Sequence, residues 1–226
     1  MAFTLEKVVP WGRSLEEYRR MFALSEADLE KRILGCSDGP ASFNAELTAQ
    51  GGSVVSLDPL YAFGREGIAR QIEATFETVM AQTEQHKDTF VWQTIGSVSE
   101  LKRVRRQAMD AFLDDYPQGK AAGRYLEGSL PVLPFADQRF DLALCSHFLF
   151  LYSEPFDEAF HAQALLELCR VAGEVRVFPL LNLAGEPSLH VEPVTAFLRE
   201  RKLEVSLETV PYEFKCGAYQ MLRVRS

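Results

Sequence analysis

Gly35-Cys36-Ser37-Asp38-Gly39, with Asp58 lying 19 residues beyond Gly39, are the residues of this chain whose types and spacing best suit chemistry. Gly35 and Gly39 permit backbone angles and close approaches that a side chain forbids, so a ligand can lie directly against such a turn. A carboxylate only accepts hydrogen bonds and a ribose diol offers two donors, which suits Asp58 to holding a ribose. Its distance from the second glycine is close to the ~20 residues at which a strand-end acid serves a nucleoside-bearing cofactor. The same residues leave a second reading open, in which Asp58 caps a turn that begins at Pro59. Further along, Ser146-His147 brings an imidazole, whose ordinary pKa of ~6.5 suits proton transfer near neutrality.

These residues need elements to hold them. Arg32-Ile33-Leu34 reads as a strand entering the glycine turn, Pro40 suits a first helical position, and Phe43 and Leu47 share one helical face that Gly51-Gly52 ends. Val54, Val55 and Leu57 read as a buried parallel strand with Asp58 at its end, the edge where open α/β sheets bind ligands. A strand from Asp141 to Cys145 places Ser146 and His147 at that edge too. Upstream, Ser14-Leu15-Glu16-Glu17 is a capping box, and Leu15, Tyr18, Met21 and Phe22 follow at helical spacing. Ser25-Glu26-Ala27-Asp28 opens a second short helix; Trp11, Arg13 and Tyr18 either face a ligand or simply pack. After His147, Asp157 and Glu158 start a helix that Gly173 stops, and Glu174 to Leu180 is a fifth strand. Pro193, Val194, Phe197 and Leu198 mark a last helix, and Leu203 to Leu207 and Gln220 to Val224 read as two paired strands.

Between the second strand and Arg124-Tyr125-Leu126 lie about sixty residues, more than a compact crossover needs. Ile68, Ile72, Phe76 and Met80 predict one helix with an apolar face, and Leu101, Val104, Ala108 and Phe112 a second. Phe90-Val91-Trp92 reads as extended and Tyr116-Pro117-Gln118-Gly119 as a turn. The two helices are expected to wall a substrate pocket; the plainer reading is that the first packs on the sheet and the second only thickens the domain. Lys102-Arg103-Val104-Arg105-Arg106 either holds an anionic substrate or forms a solvated face. His86 and Lys87 are expected to end the first helix, where cations favour the dipole.

The glycine turn resembles the first motif, Gly-Cys-Gly-x-Gly, of the class I S-adenosylmethionine-dependent methyltransferases, with Ser37 at the middle glycine. Gly128 to Asp141, with Leu133-Pro134-Phe135 and Phe140-Asp141, is similar to that family's run before its fourth strand. The chain departs from the family pattern at Ile33 and Ser129, where acids are usual. The resemblance implies an α/β, Rossmann-like methyltransferase fold: a seven-stranded, mostly parallel sheet, helices on both faces, an antiparallel last strand and here a helical insertion after the second strand. It implies one domain over residues 1–226, with N-terminal helices at 14–31 and the insertion at about 64–122. It places Gly35, Cys36, Ser37, Gly39, Asp58, Pro59, Leu60, Ser129, Leu130 and Ser146 at S-adenosyl-L-methionine, with Leu60 near the adenine, and His147 as a candidate catalytic base for a small-molecule acceptor. The same departures, with Ser37, motivate an alternative: a protein of this fold that binds S-adenosylmethionine or S-adenosylhomocysteine without transferring methyl groups. A nicotinamide-dependent oxidoreductase ranks below both, since Gly-x-Gly-x-x-Gly is absent and its fold would continue with parallel strands.

The 226 residues carry a net charge of −8, with 24 Lys and Arg against 32 Asp and Glu, a balance that argues against a general nucleic-acid binder. The absence of an Asn/Asp-Pro-Pro-Tyr signature, which this family uses for base amines, points the same way. Cys36, Cys145, Cys169 and Cys216 are scattered, so neither a zinc site nor a disulfide framework is expected and a cytoplasmic location is the simplest account. No apolar run approaches the ~18 residues of a membrane span.

Overall fold

A computed structural model describes residues 9–226. α1 (Leu15–Met21) and α2 (Glu26–Leu29) precede β1 (Arg32–Cys36), α3 (Phe43–Ala49) and β2 (Ser53–Leu57). α4 (Arg65–Gln85), α5 (Val98–Ala121) and β3 (Tyr125–Leu126) follow, then β4 (Phe140–Ser146), α6 (Glu158–Val171), β5 (Ala172–Phe178), α7 (Val191–Glu200), β6 (Glu204–Thr209) and β7 (Gln220–Arg225). The strands form one seven-stranded sheet in the order β3-β2-β1-β4-β5-β7-β6. β1 to β5 pair in parallel, whereas β7 runs antiparallel between β5 and β6. Strand order reverses between β1 and β4, with Cys36 level with Cys145, so the chain leaves these two strands toward opposite sides and a crevice opens past their carboxyl ends. β1 and β4 are almost wholly buried, as apolar strands covered on both faces must be.

The capping box is formed at α1, where Glu17 N donates to Ser14 Oγ and Ser14 N to Glu17 Oε2. Three local expectations need correction. Ser42, not Pro40, stands at the start of α3, because Ser42 N is taken by Arg13 O and the turn extends further than its glycines suggest. Tyr116 to Gly119 is not a turn but the end of α5, with Pro117 inside the helix. Proline leaves the carbonyl four residues back without its helical donor, and here Arg65 Nε donates to that carbonyl, Leu113 O, at 2.9 Å. Gly173 lies within β5, which α6 enters directly.

Both insertion helices reach the crevice, α4 through Gln71, Val79 and Thr83 and α5 through Leu101. α5 leads into β3 and lies against it: Asp115 joins Arg124 and Tyr125 there, and a Cβ on Gly119 would stand 2.3 Å from the Tyr125 ring. α4 packs on α5 through Ile68, Ile72, Phe76 and Met80 against Leu101, Met109 and Phe112, and its remaining apolar edge faces the crevice. Among the described residues no helix is long and apolar enough to cross a membrane.

Candidate functional site

The glycine turn is built around a buried acid. Ser37 takes φ +59° and Gly39 φ +55°, left-handed values that glycine adopts freely, so Ser37 keeps the backbone of a glycine at the middle motif position. Asp38 folds back beneath the turn, accepting hydrogen bonds from Tyr18 Oη at 2.8 Å and Ser56 Oγ at 2.6 Å. A Cβ on Gly35 would stand 1.8 Å from Asp38 Oδ2, so the first glycine makes room for this carboxyl rather than for a ligand. Burial pushes Asp38 up to about 7; the Ser56 and Tyr18 bonds pull against that rise and the charge of Asp58 adds to it.

Asp58 caps the turn that begins at Pro59, as the second of its two sequence readings expects, and it also ties that turn to the glycine turn. Its Oδ1 accepts from Leu60 N at 2.7 Å, capping the short turn Pro59–Ala62, and its Oδ2 accepts from Gly39 N at 2.8 Å. One lone pair on each oxygen remains for a hydroxyl donor. Burial raises its pKa, and the two amide bonds offset part of that rise. Tyr61 Oη donates to Gly39 O at 2.7 Å, so both polar groups of the second glycine are fixed while the space where its Cβ would stand is empty.

These groups open into a cavity of about 380 Å³, within the usual range of small-molecule sites. Of the residues the sequence points to, Ser37, Gly39, Asp58, Pro59, Leu60, Ser129, Ser146 and His147 line it. Gly35, Cys36 and Leu130 do not: Gly35 is occluded by Asp38, and Cys36 and Leu130 turn into the apolar core, where burial drives the Cys36 thiol pKa well up. At the end of β4, His147 takes φ +53°, donates its amide to Phe178 O at 2.6 Å, and has Nδ1 2.9 Å from Ser146 Oγ. Burial, with the positive charges of Arg13 and Arg105, lowers the His147 pKa well below the ordinary value on which the general-base expectation rested.

The outer wall comes from several segments, among them Phe148, Leu151 and Tyr152 after β4 and Leu101 of α5. Trp11, Arg13 and Tyr18 line the cavity, so the N-terminal segment does face it. That segment is seated against the turn, since Ser42 N donates to Arg13 O at 3.0 Å and a Cβ on Gly12 would stand 2.1 Å from Pro40 O. Gln71, Val79 and Thr83 of α4, Pro179 and Leu181 after β5, and Tyr212, Phe214 and Lys215 before β7 complete it. The last of these segments is laced to the chain after α4: Val91 N donates to Phe214 O at 2.7 Å and Cys216 N to Thr89 O at 3.1 Å.

Sequence patterns miss two groups that shape this wall. Arg105 lies in the basic run read as a solvated face or an anion site, yet it is fully buried. Its guanidinium donates to both oxygens of Glu17 at 2.5 and 2.6 Å, Tyr212 Oη donates to Glu17 at 2.9 Å, and α1, α5 and the loop before β7 are thereby joined. Burial alone would raise Glu17, but Arg105 holds it down to about 2. The run's other cations do lie at the surface, where Lys102, Arg103 and Arg106 pair with Glu77, Glu100 and Glu73. Asp38 is the second group; an Asp-Gly pair ordinarily signals an exposed turn, and nothing in the sequence signals its burial.

Strand order, the antiparallel β7 and a ligand crevice at the β1–β4 reversal define a Rossmann-like fold of the class I methyltransferase type. No family model matches the sequence. The chain is 33% identical over 226 residues to the uncharacterized protein MJ0045 of Methanocaldococcus jannaschii, covering 98% of this chain and 97% of that one, and it belongs to that protein's family. Among solved structures, it is similar to a possible histamine N-methyltransferase of Thermotoga maritima, with 14% identity, TM-score 0.45, and 93% and 87% of the two chains covered. It is also similar to magnesium protoporphyrin IX methyltransferase of Synechocystis with bound S-adenosylmethionine, with 10% identity, TM-score 0.45, and 93% and 90% coverage. The pyocyanin biosynthetic protein PhzM matches over 93% of this chain at 14% identity and TM-score 0.46, but the chain spans only 54% of that protein's length.

Proposed function

We propose that the protein is an S-adenosylmethionine-dependent methyltransferase acting on a small-molecule acceptor. The observation that carries this reading is the Asp58 carboxylate, fixed by the Gly39 and Leu60 amides at the end of β2, with acceptor capacity left on the wall of the crevice. The residues present fit the cofactor. The vacant Cβ position of Gly39 leaves room for a chain running along the turn, Asp58 offers two acceptors to a ribose diol, and Leu60 gives an apolar surface to a purine. When bound, S-adenosylmethionine supplies a methyl group on a sulfonium, open to direct displacement by a nucleophile.

The chain's own part is then position and exclusion of water. Trp11, Phe148, Phe178 and Phe214 give the acceptor an apolar enclosure. His147, held neutral, acts there as a hydrogen-bonding and orienting group for the acceptor, since burial beside Arg13 and Arg105 makes it a weak base. Ser146 beside Nδ1 fixes the ring.

The test is isothermal titration with S-adenosylmethionine and S-adenosylhomocysteine, beside Asp58→Ala, with NAD as control. Micromolar binding that weakens at least about thirtyfold in Asp58→Ala, or about 2 kcal/mol, supports the reading. Tight NAD binding, or unchanged affinity in the variant, refutes it. Release of S-adenosylhomocysteine with a panel of hydroxyl and amine acceptors separates a transferase from a protein that only binds the cofactor.

A further inference from the structure

The cations that line the cavity, Arg13 and Lys215, have no carboxylate within ion-pairing distance among the described residues, whereas Arg105, Arg124, Arg170 and Arg176 each have one. Among the described residues Arg13 Nε is buried without a hydrogen-bond partner, and the one hydrogen bond its side chain makes to them is a long one, Nη1 to Trp11 O at 3.4 Å. The carboxylate that would neutralise it, Glu17, is already occupied by Arg105, Tyr212 and Ser14. Lys215 Nζ donates to Thr89 Oγ1 at 2.8 Å and lies over the Phe90 ring. Holding an uncompensated guanidinium at an apolar wall is costly, and a fold tolerates it where a ligand supplies the counter-charge.

Resting on the methyltransferase reading, we infer that the acceptor is an anion: an aromatic or similarly flat apolar body bearing a carboxylate, which the Arg13 guanidinium receives with Lys215 as second cation. The cofactor supplies no net counter-charge, and pairing of Arg13 with the cofactor's own carboxylate is the competing outcome that the test separates. Its amino-acid end is a zwitterion and its sulfonium adds one positive charge, so a bound cofactor leaves the cavity still more positive. A guanidinium fork matches a carboxylate bidentately, and Trp11, Phe148, Phe178 and Phe214 provide the faces for a flat body. The desolvation that lowers the pKa values of Arg13 and Lys215 agrees with charges waiting for a partner.

The experiment is titration of the protein saturated with S-adenosylhomocysteine using 2-naphthoate and its neutral counterpart 2-naphthamide, in wild type, Arg13→Gln, Arg13→Lys and Lys215→Gln. The acid is expected to bind at least about tenfold more tightly than the amide. Arg13→Gln should remove that preference, Arg13→Lys restore part of it, and S-adenosylhomocysteine affinity stay within about twofold throughout. Equal binding of acid and amide by wild type overturns the inference. So does an Arg13→Gln protein that keeps the preference while losing S-adenosylhomocysteine about tenfold, since its guanidinium would then serve the cofactor's own carboxylate. Should Arg13→Gln not fold, Lys215→Gln decides: at least threefold weaker acid binding supports the inference and no change overturns it. If wild type does not bind S-adenosylhomocysteine at all, the methyltransferase reading falls. The comparison of acid with amide on the free protein still decides the anion site.

Discussion

Asp38→Asn isolates the electrostatics of the glycine turn. The carboxyl is 6% exposed, and its pKa stands at about 7 in the fold against 3.8 in an open chain. Between those values the folded protein keeps a proton that the unfolded chain has released. The stability contributed by that proton is fully present below 3.8 and is lost as pH rises through about 7. At about 1.4 kcal/mol per pH unit, the interval corresponds to about 4 kcal/mol. Asparagine keeps the shape and stays neutral at every pH, and its amide can meet the Tyr18 hydroxyl, which reverses from donor to acceptor. The variant's stability therefore lacks this slope. Urea unfolding of both proteins, followed by circular dichroism at intervals from about pH 4.5 to about pH 8, should show Asp38→Asn gaining on wild type by about 1 kcal/mol per pH unit and levelling off above about pH 7. Parallel stability curves would mean that Asp38 is an ordinary ionised carboxylate, and the account of the turn would be wrong.

Other consequences can be measured on the same protein. Glu17→Gln leaves the Arg105 guanidinium buried without its counter-ion and should cost about 3–5 kcal/mol in urea unfolding, whereas Glu17→Leu combined with Arg105→Met should cost less than either change alone. Because Glu17 is held down to about 2, the stability it contributes is present above its ordinary 4.5 and should disappear as pH falls from 4.5 toward 2, a fall absent from that double variant. Pro117→Ala should gain under about 1 kcal/mol, less than the ~3 kcal/mol assigned to a helix-interior proline, because Arg65 already satisfies Leu113 O; a gain near 3 would refute that compensation. Of the four cysteines, native protein should expose one, Cys216, to iodoacetamide within minutes, while Cys36, Cys145 and Cys169 react only on unfolding; peptide mass spectrometry identifies them.

What was legible in the sequence is what neighbouring residues settle among themselves. Parallel strands covered on both faces are written as apolar runs, so the ends of β1, β2 and β4, and with them Gly39, Asp58, Ser146 and His147, could be placed before any coordinates. Ser14 and Glu17 announce α1 because a capping box closes within three residues. The rest depends on partners that local pattern cannot name. Arg105 looks like its neighbours in a basic run, and its burial is decided by Glu17, 88 positions away. The Asp38 pKa is raised because three elements, bearing Gly35, Ser56 and Tyr18, close over it and bury it, although the two hydroxyls pull the other way. Pro117 reads as a turn because the donor that rescues its helix, Arg65, belongs to another helix.

The cavity divides along the same line. On the proposed reading, the side of the cavity that takes the cofactor is largely the strand-turn-helix-strand unit from Arg32 to Leu60, while the side that takes the acceptor joins Arg13 to Phe214 and Lys215 across nearly the whole chain. The Asp58 side chain is held by Gly39 N and Leu60 N and, among the described residues, shares no side-chain hydrogen-bond partner with Arg13, Phe214 or Lys215, and residues that share no partner contribute independently to binding. Substitutions at Arg13, Phe214 or Lys215 should therefore alter which acceptor is taken while Asp58 continues to hold the cofactor. If they instead weakened S-adenosylhomocysteine binding in step with acceptor binding, the two halves would be a single site and the separation drawn from their hydrogen bonds would fail.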